Sequence, residues 1–448
     1  MQKNYMSFQV IWRFRMKRNI YNQLLAWKND KKKKPLLLQG ARQVGKTYIV
    51  EQFGKTEYNN LVKLNFEQDP DLKSLFQNEL KPEKIINNIN LYTGRKINPE
   101  NTLIFFDEIQ VAPEVLTSLK YFQEEAPYYH IIAAGSLLGV SIGKKTSFPV
   151  GKVNFMTMYP MSFMEYLVAF GDQLIAENLI NKKDYDPLPD AIHKKLIRRM
   201  KLYLFLGGMP EVLQEYLDNE DVSTARNKQN EILEAYSRDF SKYTKSTDAI
   251  KISEIWNSIP YQLAKENKKF KYSTAKNNAR ASNYEQSIEW LRKAGLINVV
   301  YNLKKPKLPL GGYADYSKFK LYLLDCGLLG AMLNLTSDMI IKPAELFSEY
   351  NGAFIENYVA AELVGKGLKE LYYWTSNSRA EVDFVLRKDN LILPLEVKSG
   401  LNRNLKSLRS YEEKYQPALM IRCSPRNFRQ QDNFINIPLY AVAACLDF

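Results

Sequence analysis

The chain has 448 residues, 45% of them apolar, with ordinary glycine and proline usage, which is enough for two to three folded domains and excludes a disordered or fibrous chain. Three cysteines (Cys326, Cys423, Cys445) and two histidines (His130, His193) lie far apart, excluding a disulfide framework and a zinc cluster, so any metal would need oxygen ligands. Lysine and arginine outnumber aspartate and glutamate 63 to 49, a formal charge of +14, and that excess is unevenly placed.

Residues 1–34 hold 10 Lys/Arg against one Asp, including Lys3, Arg13, Arg15, Lys17, Arg18 and the run Lys31–Lys34. No apolar core of signal-peptide length accompanies them, and no window approaches the ~18 uncharged apolar residues of a membrane span. A cytoplasmic protein without a membrane partner is expected. The lysine run reads as a solvated loop ahead of a strand.

That strand opens "PLLLQGARQVGKTYIV" (Pro35–Val50). Leu36–Leu38 read as buried, "TYIVEQF" reads as a helix start, and between them Gly40, Ala41, Arg42, Gln43, Val44, Gly45, Lys46 and Thr47 fit G-x-x-x-x-G-K-[ST]. Glycines let the backbone curl so that N–H groups point inward, and the following helix adds its unpaired N–H groups and positive dipole end. Such a loop cradles phosphates. Lys46 is expected on the terminal phosphates of a nucleotide, and the Thr47 hydroxyl on a bridging Mg²⁺.

Hydrolysis needs acids as well. In "NTLIFFDEIQ" (Asn101–Gln110) the run Leu103–Phe106 reads as a strand buried on both faces and ending in two carboxylates. Asp107 is expected in the Mg²⁺ shell, and Glu108 as the group that polarises the attacking water. A third strand, "YHIIAAGS" (Tyr129–Ser136), ends in Ser136, placed to reach the γ-phosphate or the water.

These elements, with "RNIYNQLLAWKN" (Arg18–Asn29), "AAGSLLG", "YPMSFMEYL" (Tyr159–Leu167) and "LGGMPEV" (Leu206–Val212), resemble the AAA-type ATPase domain of a large group of prokaryotic ATP-binding proteins. The resemblance implies ATP and Mg²⁺ as ligands. In that group a Gly-Arg pair usually precedes "YPMSF"; here the segment reads "VGKV" with Lys152. The cation that meets transition-state charge is therefore open between Lys152 and Arg238 of "YSRDF".

From Pro187 to about Thr247 the pattern is amphipathic helices broken at Gly207-Gly208, a helical lid or lever. Residues 251–318 hold 13 Lys/Arg against 5 Asp/Glu and read as helix, polar turn, helix and strand. That order looks like a winged helix-turn-helix, bracketed by Lys268, Lys269, Lys271, Lys276, Arg280, Lys304, Lys305 and Lys307. Winged helices bind DNA or dock proteins, and both readings stand at this point.

In the last third, "GAFIENYVAAEL" (Gly352–Leu363) reads as a helix carrying Glu356, and "AEVDFVLRKDNLILPLEVKSG" (Ala380–Gly400) as a hairpin. A turn centred on Lys388-Asp389 pairs residue 383 with 394; one centred on Asp389-Asn390 pairs it with 396. Either register puts Asp383 on the face of Glu396 and Lys398. Two carboxylates and a lysine on one face fit Mg²⁺-dependent phosphodiester cleavage, with Asp383 and Glu396 as metal ligands and Glu356 and Lys398 as further catalytic groups. The cluster resembles the restriction-endonuclease-like, Holliday-resolvase-like superfamily, and the region resembles the domain of unknown function attached to the ATPases above. The bland alternative for Glu396 and Lys398 is a solvated ion pair.

The expected architecture is α/β: an AAA-type P-loop ATPase core with a parallel sheet (1–180), a helical extension (181–250), a winged helix (251–318) and an endonuclease-like domain (319–448). The expected activity is ATP turnover coupled to action on DNA, and a homo-oligomer is compatible with it. The alternative is a nucleotide-dependent switch or scaffold whose C-terminal domain only binds a partner.

Overall fold

The apolar runs become strands where they are too short for helices and β-rich. The structure, a computed structural model, describes residues 16–77, 80–136, 149, 151–265, 268–276, 280–338, 351–376, 380–400 and 405–446. It divides into two units: Lys17–Tyr159 together with Lys293–Gly295, and the remainder of the chain. No helix among the described residues is long and apolar enough to cross a membrane.

The first unit is built on β1 (Leu36–Gln39), β2 (Asn60–Asn65), β3 (Thr102–Asp107), β4 (His130–Gly135) and β5 (Asn154–Thr157), a parallel sheet in the order β2-β3-β4-β1-β5. Every residue of β3 is buried, as a central strand covered on both faces requires. Helices Pro82–Thr93 and Pro113–Glu125 each begin with proline, whose missing N–H costs nothing in a first turn. Phe66, Phe76 and Phe106 meet edge to face with centroids 5.5–6.1 Å apart in the core on one side of the sheet. Each such pair contributes about 0.5–1.5 kcal/mol beyond area burial.

The register aligns the carboxyl ends of three strands. Gln39 lies beside Gly135, and Ala134 beside Asp107. The phosphate loop, Asp107 and Ser136 therefore leave the sheet along one edge, the edge where open parallel sheets bind ligands. Part of "AAGSLLG" (137–139) lies outside the described residues.

In the second unit, "YPMSFMEYL" supplies a helix, Phe163–Ala169, closed by a capping box between Ser162 and Glu165. The helices Asp190–Leu206, Pro210–Asn219 and Val222–Tyr243 follow. Gly207 (φ +75°) and Gly208 between the first two are sterically required. A Cβ at Gly207 would lie 2.2 Å from Asp325 Oδ1, and one at Gly208 would lie 2.1 Å from the Met161 carbonyl oxygen.

Helices Ser246–Leu263, Tyr272–Ala275 and Ala281–Lys293 then lead to β6 (Ile297–Leu303) and β7 (Ala314–Leu323), an antiparallel pair. The sheet does not stop there. β6 also pairs with β8 (Leu371–Thr375), and β8 with β9 (Glu381–Val382), giving the order β7-β6-β8-β9. The boundary expected between 318 and 319 falls inside β7. A last sheet, β10-β11-β12-β14-β13, uses β10 (Phe384–Lys388), β11 (Leu391–Val397), β12 (Met420–Ser424), β13 (Arg429–Gln431) and β14 (Phe434–Pro438).

Candidate functional site

In the first unit the loop after β1 turns through left-handed conformations at Gln43 (φ 66°) and Gly45 (φ 92°), with Gly40 at φ 148°. A Cβ at Gly40 would lie 2.2 Å from the Met158 carbonyl oxygen, so only glycine fits. Ala41 and Val44 are buried and anchor the loop, while Arg42 and Gln43 are half-buried. The helix Lys46–Glu57 starts directly behind Gly45 and aims its N-terminus into the curl.

Lys46 folds its ammonium back onto the loop, donating to the carbonyls of Gly40 (2.9 Å) and Ala41 (2.7 Å). Burial pulls its pKa down to about 8, against the nearby charges of Glu108 and Asp107. An anion in the cradle would reverse that penalty. The Thr47 hydroxyl donates to Asp107, lying 3.2 Å from Oδ1 and 3.1 Å from Oδ2. Burial raises the Asp107 pKa, with Lys63 (3.3 Å) opposing. Glu108 adopts φ 57°, uncommon for a residue with a Cβ, and its carboxylate accepts a hydrogen bond from Gln110 Nε2. Ser136 is buried one residue past β4.

Three contributors were given no role in the site by the sequence. Arg18, read as an N-terminal cation and as the first residue of "RNIYNQLLAWKN", is buried and donates to the carbonyls of Val44 (3.0 Å) and Tyr159 (2.6 Å), tying the loop to the strand-end segment. Asn65, at the end of β2, donates to Asp107 Oδ2 (3.3 Å), and Lys63 pairs with the same oxygen. Their positions depend on β2 lying beside β3, which periodicity does not reveal. Lys152 is paired with Glu124 at 3.0 Å, and Arg238 with Glu234 at 3.1 Å.

In the second unit the hairpin takes the register with the turn at Asp389-Asn390, so Phe384 opposes Leu395 and Lys388 opposes Leu391. Asp383 is the single residue between β9 and β10, where the chain passes from one sheet to the next. It is buried, and its Oδ2 accepts the Val397 N–H at 2.7 Å. Glu396 is buried, with Lys398 Nζ 2.8 Å from Oε1, and the Ser407 side chain also favours its charge, while among the described residues no partner lies within hydrogen-bonding range of Oε2. Burial raises the Glu396 pKa, with Lys398 opposing. An ion pair buried on the carboxylate side is not the solvated pair of the bland reading.

Glu356 is more committed than its sequence suggested. It accepts from the Tyr322 hydroxyl (2.7 Å), is salt-bridged to Lys268, and lies 3.6 Å from Lys320, which is 0% exposed. Lys320 also binds Glu381 at 2.5 Å. Burial first, and then the Glu356 charge, push the Asp383 pKa up, while Lys320 and Lys268 oppose. Among the described residues no group of three or more His, Cys, Asp and Glu is placed to hold a metal ion.

Comparison with known proteins finds three matched segments. Residues 32–167 match the model of an AAA domain. Residues 197–339 match a domain of unknown function, DUF8612, and residues 351–442 another, DUF4143. A comparison with curated proteins finds no match. Solved structures that align include a Walker-type ATPase of Pyrococcus abyssi, 14% identical over 71% of this chain and 96% of that one with TM-score 0.43. The Aeropyrum pernix Orc1 protein, solved in complex with DNA, is 10% identical over 71% of this chain and 91% of that one with TM-score 0.29. Cdc6p of Pyrobaculum aerophilum is 12% identical over 73% and 97% with TM-score 0.26. Likeness at these scores carries nothing about residues. The AAA-domain match, the parallel sheet and the glycine-bounded loop together identify residues 32–167 as an AAA-type P-loop domain, a fold that implies nucleotide binding.

Proposed function

We propose that this chain is an AAA-type ATPase whose second unit acts on DNA. The observation that supports it most is the convergence of Lys46, the Thr47 hydroxyl and Asp107 at one strand edge, with Thr47 3.1 Å from the Asp107 carboxylate. The residues present fit a nucleotide with Mg²⁺: a loop only glycine can close, a buried ammonium facing backbone carbonyls, and a carboxylate whose burial favours a cation. Thr47 and Asp107 would hold the metal, which when bound neutralises charge on the terminal phosphates. Lys46 binds those phosphates, the loop N–H groups orient them, and Glu108 polarises the attacking water. The left-handed backbone at Glu108 is a strained conformation of the kind that persists where function needs it.

The test separates binding from turnover. Lys46 meets phosphate in ground and transition states, while Glu108 acts on the water alone. Lys46→Ala is expected to lose fluorescent-ATP binding, and Glu108→Gln to keep binding and lose turnover. Unchanged affinity in Lys46→Ala would overturn the reading.

For the second unit, the buried carboxylates of Glu396 and Asp383, whose charge burial disfavours, fit a divalent cation, and Lys398 beside Glu396 fits a group that positions water. Mg²⁺-dependent cleavage of a phosphodiester is the reading these favour. A second reading has its own support: Glu356 is consumed by Lys268, Lys320 and Tyr322, which suits a binding platform without catalysis.

A further inference from the structure

The connection between β6 and β7 runs from Lys304 to Tyr313 and is held at its base and in its middle. The Lys304 N–H donates to the Tyr313 carbonyl at 3.0 Å, directly beyond the Leu303–Ala314 pair that ends the ladder. Leu310 is buried in one apolar cluster with Leu303, Tyr372 and Trp374, and Leu308 packs against it. With these apolar residues turned inward, Lys304, Lys305, Lys307 and Tyr313 are exposed.

Beside them a series of touching rings leads from the interior to the surface. Phe270 stacks on Phe319 with centroids 5.5 Å apart, Phe319 lies 6.3 Å from Tyr301, and Tyr301 meets Tyr316 edge to face at 4.9 Å. Exposure rises along that series, from 8% at Phe319 through the half-buried Tyr301 to 55% at Tyr316. Tyr316 is nonetheless fixed, because its hydroxyl donates to the Gly311 carbonyl at 3.2 Å. A Cβ at Gly311 would lie 3.1 Å from the Tyr372 hydroxyl and 3.4 Å from that of Tyr316, so a glycine lets the connection come this close to both rings. A ring held by its neighbour and its hydroxyl, yet more than half open to solvent, can stack on a flat partner without first losing freedom of its own.

The charges decide what that partner is. Among the described residues Lys304, Lys305 and Lys307 have no ion-pair partner. The acids beside the rings are engaged: Asp315 with Lys318 (3.2 Å) and the Ser317 hydroxyl (2.6 Å), and Glu370 with the Tyr372 hydroxyl. Three available cations next to two exposed rings complement a chain of phosphates whose bases are unpaired; in a duplex the bases stack on one another and offer these rings nothing. We infer that the β6–β7 connection binds single-stranded DNA, with Tyr316 and Tyr313 stacking on bases and Lys304, Lys305 and Lys307 following the phosphates. The inference rests on the reading that the second unit acts on DNA and names the form of DNA that this surface takes.

The test uses the full chain carrying Lys46→Ala, so that the P-loop contributes no phosphate affinity. Fluorescence anisotropy compares four labelled probes of equal length: an oligothymidylate, an abasic strand with the same phosphates and no bases, a blunt duplex and an oligouridylate. The parent is expected to hold the oligothymidylate about tenfold or more tighter than the abasic strand, a difference that only stacking supplies. Tyr313→Leu combined with Tyr316→Leu is expected to abolish that difference while the abasic strand binds as before, with unchanged circular dichroism and melting showing that the fold is kept. Tyr316→Phe keeps the ring and is expected to keep the preference. Equal affinity of the parent for oligothymidylate and abasic strand overturns the inference without recourse to any variant, as does a preference that survives in the double variant. Tighter binding of the oligouridylate than of the oligothymidylate overturns the assignment to DNA. Duplex binding alongside any of these failures leaves the wider DNA reading standing, whereas binding of no probe at all overturns both.

Discussion

Asp383 and Lys398 show how two side chains on one face can be told apart by chemistry. Asp383 sits between β9 and β10 with its carboxylate buried and its charge disfavoured by burial and by Glu356; a divalent cation would remove both objections. Burial pulls the Lys398 pKa down, but the Glu396 charge and hydrogen bond together with the charges of Asp383 and Glu356 outweigh it and leave it raised, so Lys398 is a stable cation beside that site. Asp383→Ala is expected to abolish Mn²⁺ heats in nucleotide-free titration calorimetry. Lys398→Ala is expected to leave them intact or larger, because a repelling neighbour is gone, while any DNA cleavage falls. Equal, negligible heats in wild type and Asp383→Ala would sink the metal reading and leave the binding-platform one.

At the scale of elements, the helix Asn351–Gly365 stabilises the start of helix Phe163–Ala169 through Glu362, whose Oε1 accepts the Phe163 N–H at 2.8 Å and lies 3.4 Å from the Tyr203 hydroxyl. Burial, with the Glu165 charge adding to it, raises the Glu362 pKa to about 8. The sign follows from linkage. Between the unfolded value near 4.5 and the folded value near 8, the folded chain holds a proton that the unfolded chain releases, so stability falls as pH rises, by at most ~1.4 kcal/mol per pH unit. Glu362→Gln mimics the protonated form and lacks this slope. Its melting temperature is expected to gain on wild type steadily from pH 5 to pH 8; a difference that stays constant across that range would show that Glu362 does not titrate there.

What was legible in the sequence at this scale was whatever neighbouring residues decide. The loop Gly40–Thr47, the strand Leu103–Phe106 and the hairpin parity of Asp383, Glu396 and Lys398 all follow from local spacing, and the structure takes the second of the two registers that parity allowed. The pairing of Arg422 with Asn436 was not legible, although both obey the same parity rule. Strands β12 and β14 are parallel neighbours, and β13 must be skipped and folded back outside them. No local signal specifies that order. The partners of Glu356 were hidden for a similar reason: Lys268, Lys320 and Tyr322 come from distant stretches.

For the whole molecule, net charge matters less than which charges remain available. The chain carries +14, but within the basic stretch Lys268 is consumed by Glu356, Lys276 by Glu254 (3.0 Å) and Arg292 by Glu289 (2.7 Å). Helix Ala281–Lys293, the element that would enter a groove, exposes Asn283, Glu285 and Gln286 in its first turns and places its exposed cations, Arg292 and Lys293, at its end. Lys304, Lys305 and Lys307, in the connection between β6 and β7, are exposed and carry the wing's charge. If the stretch meets DNA, those three should dominate the electrostatic term, since each phosphate neutralised contributes about −0.9 to the slope of log K against log salt. Replacing all three by glutamine in the full chain is expected to weaken duplex binding at low salt and to flatten that slope by up to roughly 3, with little change in sequence preference. An unchanged slope would mean that the wing does not track phosphates, and the helices with their β6–β7 hairpin would then be better understood as a protein-docking module.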